Sequence, residues 1–474
     1  MAAKKWGLWI LTAFVVGNMV GGGIFMIPAS LAQVASPMGA ALAWLATGLG
    51  VWMIALVFGS LAIRKPDLKA GPQSYAQAMF SSPKAGNIAG YSMAWGYWAA
   101  NWAATASVII SFAGYLSTFF PIMQSKHILF TIGTFPLEVG KTLTFAVCTA
   151  VLWGIHWILA RDFQRAGNIN ILATGAKVIG FLLYIVATVW VFNAANLGSG
   201  FAFMDEKGQA VSVPSQINGA AITALWAFIG IESAVMLSNR AKSPKDVKKA
   251  TLLGLIISVL IYIGITLLTM GALPQEELKQ SQKPLVDALY AVIGSNGAYI
   301  MAILALISLF GSTIGWIVVS SEVPYQAARE GLFPAFFAKT NKSGSPTRSL
   351  FITNFMTQIF LFSTVSGTMN EAYNFAIVVA TLAYLVPYLV SALYHLKLII
   401  TGETYKNTKQ IRMRDGIITL AALVYSIWVI KTGTADWYTF FLGIGLFVAG
   451  LILYPLLMKQ KPHNDHKHAE LKEA

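Results

Sequence analysis

Two side chains in this sequence carry charge where an apolar solvent would resist it. In A-L-W-A-F-I-G-I-E-S-A-V-M, Ala224 to Met236, Glu232 follows Gly230 inside an apolar run. In I-L-A-T-G-A-K-V-I-G-F, Ile171 to Phe181, Lys177 stands in the same kind of setting. Ionisable groups in such runs are costly and tend to be functional. A carboxylate there can attract a cationic ligand, carry a proton, or do both. The alternative is a protonated structural glutamate. A buried lysine can exchange protons. The alternative for Lys177 is to snorkel toward the membrane face, since Arg165 lies only twelve residues earlier.

The neighbouring residue types suit ligand binding rather than bond making. Trp226 lies six residues before Glu232, and Trp316 sits in S-T-I-G-W-I-V-V. An indole face attracts a guanidinium or ammonium by roughly 0.5–2 kcal/mol. The alternative for either is packing or anchoring at a membrane interface. In Y-S-M-A-W-G-Y-W-A-A-N-W-A-A-T, residues Tyr97, Asn101 and Thr105 are spaced by four and share one helix face. That stripe reads as a cavity wall or as interhelical hydrogen bonding. His156 is a lone histidine in an apolar run and reads as a packed group. The one cysteine, Cys148, allows no intramolecular disulfide. There is no phosphate-binding Gly-x-x-x-x-Gly-Lys-Ser/Thr, no metal-ligand spacing and no catalytic constellation. Neither an ATP-driven pump nor an enzyme is expected, and no cofactor.

The elements that must position these residues are membrane helices. Of 474 residues, 56% are hydrophobic and only 11% charged, against about 25% charged in soluble domains. Twelve apolar segments long enough to span a bilayer fall near 7–34, 39–63, 87–120, 142–160, 169–192, 217–239, 251–272, 290–322, 349–367, 372–398, 416–431 and 436–458. The third and eighth are long enough to require tilt. A net charge of +14 in this setting reports topology, not a nucleic-acid partner. With the N-terminus inside, only Lys126, Lys141, Lys207, Lys279, Lys283 and Lys431 fall on outer segments, and Lys177 lies within a span. The remaining Lys and Arg are inside, which puts both termini in the cytoplasm. No cleavable signal peptide is apparent. The tail from Lys459 carries His463, His466 and His468 and reads as solvated and disordered, with metal binding as the alternative.

The first span contains G-N-M-V-G-G-G-I-F-M-I-P, Gly17 to Pro28. Glycine costs a helix interior about 1 kcal/mol against alanine, and Pro28 has no N–H to give. Gly17 and Gly21 have the spacing of a helix-packing pair, but three consecutive glycines exceed what packing needs. The expectation is an unwound stretch whose free N–H groups hold a carboxylate. Span six, with Gly230 beside Glu232, would be the second discontinuous helix, whose carbonyls receive an ammonium. Two such interruptions point to a midplane site between two repeats of opposite topology. No residue-level identity between the halves is evident.

At these segments the chain resembles the amino acid–polyamine–organocation transporter superfamily. The likeness runs from about residue 7 to residue 458, and its pieces are G-N-M-V-G-G-G-I-F, A-F-I-G-I-E-S with the following N-R-A-K-S-P-K-D-V-K-K-A-T, S-E-V-P-Y-Q-A-A-R-E-G-L-F-P and N-K-S-G-S-P. It is most similar to the basic amino acid/polyamine antiporters. The resemblance implies an all-α integral membrane protein of twelve transmembrane helices with two inverted five-helix repeats, the LeuT-type fold. Residues 1–192 and 193–398 would be the repeats, 399–458 two further helices and 459–474 the tail. It implies alternating access with substrate contacts from Asn18, Met19, Gly21, Gly22, Gly23, Tyr97, Asn101, Thr105, Trp226, Ile229, Glu232 and Trp316. Tyr97 would be an outer gate aromatic, and Thr105 would replace a substrate-facing asparagine. Glu232 and Lys177 would be the proton-coupling candidates, Lys177 standing where relatives bind sodium. The segment Pro324 to Pro346 would be a mobile cytoplasmic gate. The Gly-Ser-Gly typical of span one is Gly21-Gly22-Gly23 here, so backbone N–H groups take over a missing hydroxyl. The implied activity is exchange of cationic amino acids or their amine products, such as arginine and ornithine, across a bacterial cytoplasmic membrane. The implied partners are that substrate and the lipid bilayer, with room for a homodimer. Proton-coupled symport is the alternative, and a nutrient sensor with vestigial transport a further one.

Overall fold

The computed structural model describes residues 7–458 except 69–70, 133–134, 162–164, 191, 199, 206, 237–240, 343, 406–408 and 435–436. The histidine-bearing tail and Arg240 lie outside the described residues. Among the described residues, seventeen α-helices follow in chain order: α1 Leu8–Met19, α2 Ile27–Ala32, α3 Pro37–Arg64, α4 Pro72–Met79, α5 Pro83–Leu116, α6 Val139–Arg161, α7 Arg165–Trp190, α8 Val213–Ala227, α9 Ser233–Met236, α10 Pro244–Ala272, α11 Gln275–Gln280, α12 Pro284–Arg329, α13 Thr347–Leu361, α14 Ser363–Ser366, α15 Met369–Thr401, α16 Lys409–Gly433 and α17 Trp437–Met458. Among the described residues, eight of these segments are long and apolar enough to cross a bilayer: α3, α5, α6, α10, α12, α13 with α14, α15 and α16.

Local chemistry sets many of the helix starts. Ser36, Ser212 and Ser243 each accept an N–H from three residues on, and each is followed within two positions by proline. Proline is tolerated there because that N–H has no helical partner. Thr368 and Glu371 form a reciprocal capping box at α15. Glu371 is therefore engaged in helix initiation.

Two features depart from a purely helical chain of single spans. Ile128–Ile132 (β1) and Phe135–Glu138 (β2) pair antiparallel as a hairpin between α5 and α6. Its aromatic and β-branched residues favour strand. The segment expected at 290–322 belongs to an element running from Pro284 to Arg329 that breaks at Gly294, whose φ is 70°.

The buried centre is α5, which packs against α12, α15 and α4. Its small residues, among them Ala99, Ala100, Ala103 and Ala104, are fully buried and let neighbouring helices approach closely. Phe333 and Phe337, in the segment expected to gate the cytoplasmic side, lie against Trp98 at 5.7 and 5.4 Å between ring centroids.

The ends of α3, α15 and α16 meet in one polar cluster. Arg64 Nη2 and Tyr405 OH donate to Asp415 Oδ2 at 2.9 and 3.0 Å. His395 is within 2.9 Å of Ser60 Oγ and 2.7 Å of Thr419 Oγ1. The Arg64 guanidinium also lies 3.5 Å over the Tyr405 ring. Removing one partner of a buried ion pair costs roughly 3–5 kcal/mol, whereas replacing both by apolar groups is often neutral. Asp415→Leu should therefore lower the melting temperature of the detergent-solubilised protein, and Arg64→Met with Asp415→Leu should recover most of the loss.

Candidate functional site

The first helix break is where the glycines place it. Helix α1 ends at Met19, Val20 leaves helical geometry with ψ 59°, and a short 3-10 turn, Gly23–Phe25, leads into α2. Pro28 falls in the first turn of α2, where it costs no hydrogen bond. The glycines are also required sterically. A Cβ at Gly22 would lie 2.7 Å from Val108 of α5, and one at Gly23 would lie 2.7 Å from Trp226 Nε1. Gly17 makes no such close approach, so the Gly17–Gly21 spacing is not a helix-packing pair at that position. Among the described residues, the N–H groups of Gly22 and Gly23 take no backbone acceptor.

The second break touches the first. Helix α8 stops at Ala227, and Gly230 adopts φ 106°, a region open to glycine at no steric cost. A Cβ there would meet Asn18 at 3.2 Å. Two residues on, Glu232 is only 2% exposed. Its Oε1 accepts from Tyr97 OH at 2.9 Å. Its Oε2 accepts from Tyr388 OH at 2.6 Å and from the Gly230 N–H at 3.2 Å. Three donors thus compensate one buried carboxylate.

Lys177 points inward. Its Nζ donates to the Gly17 carbonyl at 3.3 Å, and the residue is 8% exposed. That carbonyl belongs to the last turn of α1, and the negative end of the helix dipole favours a cation there. The geometry does not support snorkelling.

Between the breaks lies a narrow cavity of about 10 Å³ lined by Asn18, Met19, Gly21, Gly22, Gly23, Trp226, Ala227, Ile229 and Trp316. The indoles of Trp226 and Trp316 stack at 6.0 Å and 21°. Tyr97, Asn101, Thr105 and Glu232 lie outside this lining. The stripe on α5 is instead internally bonded. Asn101 Nδ2 donates to the Tyr97 carbonyl at 2.6 Å, and Thr105 Oγ1 donates to the Asn101 carbonyl at 2.8 Å. Thr105 also lies 3.1 Å from Ser320 Oγ of α12, the interhelical arrangement. His156 is similarly occupied, with Nδ1 3.2 Å from Asn354 Nδ2 of α13.

Sequence reasoning passed over three tyrosines. Tyr388 holds Glu232, Tyr373 donates to the Gly23 carbonyl at 3.2 Å and Tyr115 donates to the Phe25 carbonyl at 2.8 Å. For Tyr388 a signal existed: Tyr384 and Tyr388 repeat at four residues in an apolar helix, as Tyr97 and Asn101 do. Free amide N–H groups, paired indoles and a buried carboxylate together suit a zwitterion with a cationic side chain.

Residues 7–464 match the amino acid permease family. A Bacillus subtilis protein provisionally named an arginine/ornithine antiporter is 57% identical over 455 residues, covering 96% of this chain and 97% of the relative. The arginine/ornithine antiporter of Pseudomonas aeruginosa is 32% identical over 459 residues, covering 96% of this chain and 91% of its own length. An arginine/ornithine antiporter of Lactococcus lactis is 32% identical over 96% of this chain and 85% of its own length.

Overpacking a tight contact costs roughly 1–3 kcal/mol. Gly22→Ala should lower thermal stability in detergent by that order. Adding Val108→Ala removes the opposing methyls and should recover most of the loss, so a double-mutant cycle measures the contact directly.

Proposed function

Because the chain belongs to the amino acid permease family, and is therefore a multi-pass membrane transporter, we propose that it exchanges arginine for ornithine by alternating access. The observation that carries this reading is its similarity, over nearly the full length, to relatives named arginine/ornithine antiporters. Their bacterial sources support a cytoplasmic membrane, and the Lys/Arg distribution supports termini on the inner side. Helices or broken helices at all twelve apolar segments support twelve spans, with α1–α2 and α8–α9 each crossing once. The two touching breaks support inverted repeats over 1–192 and 193–398, followed by two helices over 399–458.

In this reading the substrate carboxylate sits at the Gly22 and Gly23 N–H groups, where backbone donors favour an anion. The α-ammonium lies at the second break, beside Ile229 of the cavity lining. The side-chain cation lies against Trp226 and Trp316, and Glu232 neutralises it from below. A cation competes with Tyr97 and Tyr388 for the carboxylate, so loading the site loosens two contacts that hold α5 and α15 to the second break. This supplies a physical link between occupancy and reorientation.

Lys177 favours a second reading, proton-coupled symport. Its ammonium is tied to the Gly17 carbonyl at the end of α1. Losing that proton would release the helix end.

Radiolabelled arginine uptake into proteoliposomes separates the two. Exchange predicts uptake into ornithine-loaded vesicles and little into empty ones. Uptake into empty vesicles that follows an inward proton gradient would overturn exchange in favour of symport, and Lys177→Met should then abolish it. Under exchange, Glu232→Gln should cut arginine uptake roughly ten- to hundredfold, the effect of losing one charge-assisted contact. Unchanged uptake would remove Glu232 from the mechanism.

A further inference from the structure

Far from the helix breaks, the ends of α6 and α13 gather four cations. At the end of α6, the Arg161 guanidinium lies 3.7 Å over the Trp157 ring, and Trp157 is 56% exposed. At the start of α13, the Arg348 guanidinium lies 4.5 Å over the Phe336 ring. Arg348 stands in the first turn of α13, where the helix dipole favours an anion and opposes a cation. Lys339 and Lys342, on the segment leading into α13, are exposed. Among the described residues, none of the four enters an ion pair.

The fold brings these groups to one place. Asn341 Nδ2 donates to the Ala160 carbonyl at 2.6 Å. That bond fastens the segment carrying Lys339 and Lys342 to the residue before Arg161. Beneath it, Trp153 and His156 of α6 meet Phe351 of α13 at 5.7 and 6.1 Å between ring centroids. The cations therefore sit at one end of the α6–α13 contact, on the side that the Lys/Arg distribution supports as cytoplasmic.

The surface below the cations identifies the ligand. Arg348, Phe351 and Phe355 follow at intervals of three and four and share one face of α13. Phe351 and Phe355 are each 52% exposed. On α6, Trp157 and Arg161 are four apart and repeat the pattern. Each face thus has a guanidinium at its end and exposed aromatic surface along the span. A guanidinium stacked on a ring keeps its N–H fork for a phosphate. A soluble anion would use only the cations, whereas an anionic phospholipid uses both parts. Its phosphate takes the guanidinium and ammonium donors, and its acyl chains cover the aromatic surface.

We propose that Arg161, Lys339, Lys342 and Arg348 form a headgroup site for an anionic phospholipid of the inner leaflet, whose acyl chains lie along Trp157, Phe351 and Phe355. A lipid held there bridges α6 to the segment that carries the two lysines, and so fastens the connection between α12 and α13. The site is separate from the cavity between the helix breaks, and it stands whichever transport reading holds.

The test compares two double variants of the full chain. Lys339→Gln with Lys342→Gln removes two exposed cations from the site. Lys245→Gln with Lys249→Gln removes two exposed cations of α10, on the same side of the membrane, and serves as the control. Each purified protein in neutral detergent is titrated with phosphatidylglycerol, phosphatidylcholine or inorganic phosphate. Native mass spectrometry counts bound lipid, and the melting temperature is followed in parallel. Phosphatidylglycerol should bind and stabilise the wild type. The site variant should bind it roughly thirtyfold more weakly, the loss of two cations at a membrane surface. The control should bind it as the wild type does. Unchanged binding in the site variant overturns the proposal. Equal weakening in the control also overturns it, by reducing the effect to a diffuse field. So does equally tight binding of phosphatidylcholine. Equal stabilisation by inorganic phosphate would mean an adventitious ion only and would overturn the lipid assignment.

Discussion

A helix broken inside an apolar slab must return each freed N–H and C=O to some partner. In this protein that requirement organises the centre of the molecule. The Gly17 carbonyl goes to Lys177 of α7, the Gly23 carbonyl to Tyr373 of α15, and the Phe25 carbonyl to Tyr115 of α5. On the second break, the Ala227 carbonyl goes to Tyr262 of α10 at 2.6 Å and the Gly230 N–H to Glu232. Long side chains from four other helices thus close the breaks. Among the described residues, the N–H groups of Gly22 and Gly23 take no backbone acceptor, and both residues line the cavity.

The same arrangement ties the breaks to their surroundings. Tyrosine is suited to the task because its ring is apolar and its hydroxyl reaches a carbonyl at the far end. Each such bond spans two elements, so displacing α5, α7 or α10 exchanges a satisfied backbone group for an unsatisfied one, whereas the Gly23 carbonyl keeps the Met26 N–H at 3.0 Å when Tyr373 leaves. In a medium without water that exchange is costly. Rearrangements that keep partners available are therefore favoured, and a ligand that supplies them changes the balance between arrangements.

The breaks themselves were legible in the sequence. Glycine runs and a mid-run Glu232 are local signals, and the structure puts an interruption at both places. The reason for the glycines was only half legible. Unwinding follows from composition, but the contacts of Gly22 with Val108 and Gly23 with Trp226 are tertiary. Tyr388 illustrates the same limit. It lies 156 positions from the carboxylate it serves, and nothing nearby in sequence marks it except a four-residue repeat with Tyr384. The stripe Tyr97, Asn101 and Thr105 was recognised as special, yet periodicity could not say whether it faced a ligand or a neighbouring helix. Here its members take different partners: Tyr97 meets Glu232, whereas Thr105 meets Ser320. The bend at Gly294 was missed because one glycine in an apolar run is an ambiguous signal.

Charge compensation accounts for the difference between Glu232 and Lys177. Glu232 has three donors on two oxygens, all from uncharged groups. No cationic side chain is among its hydrogen-bond partners. Lys177 has a single carbonyl at 3.3 Å and draws further support from the end of the α1 dipole. Its compensation depends on α1 remaining in place, whereas that of Glu232 depends on α5 and α15. The two charges are thus coupled to different helices, and the two breaks approach each other closely where Gly230 faces Asn18 and Gly23 faces Trp226. A side chain at Gly230 would be strained by φ 106° and would press on Asn18 at 3.2 Å, so glycine there permits the close approach of the two breaks.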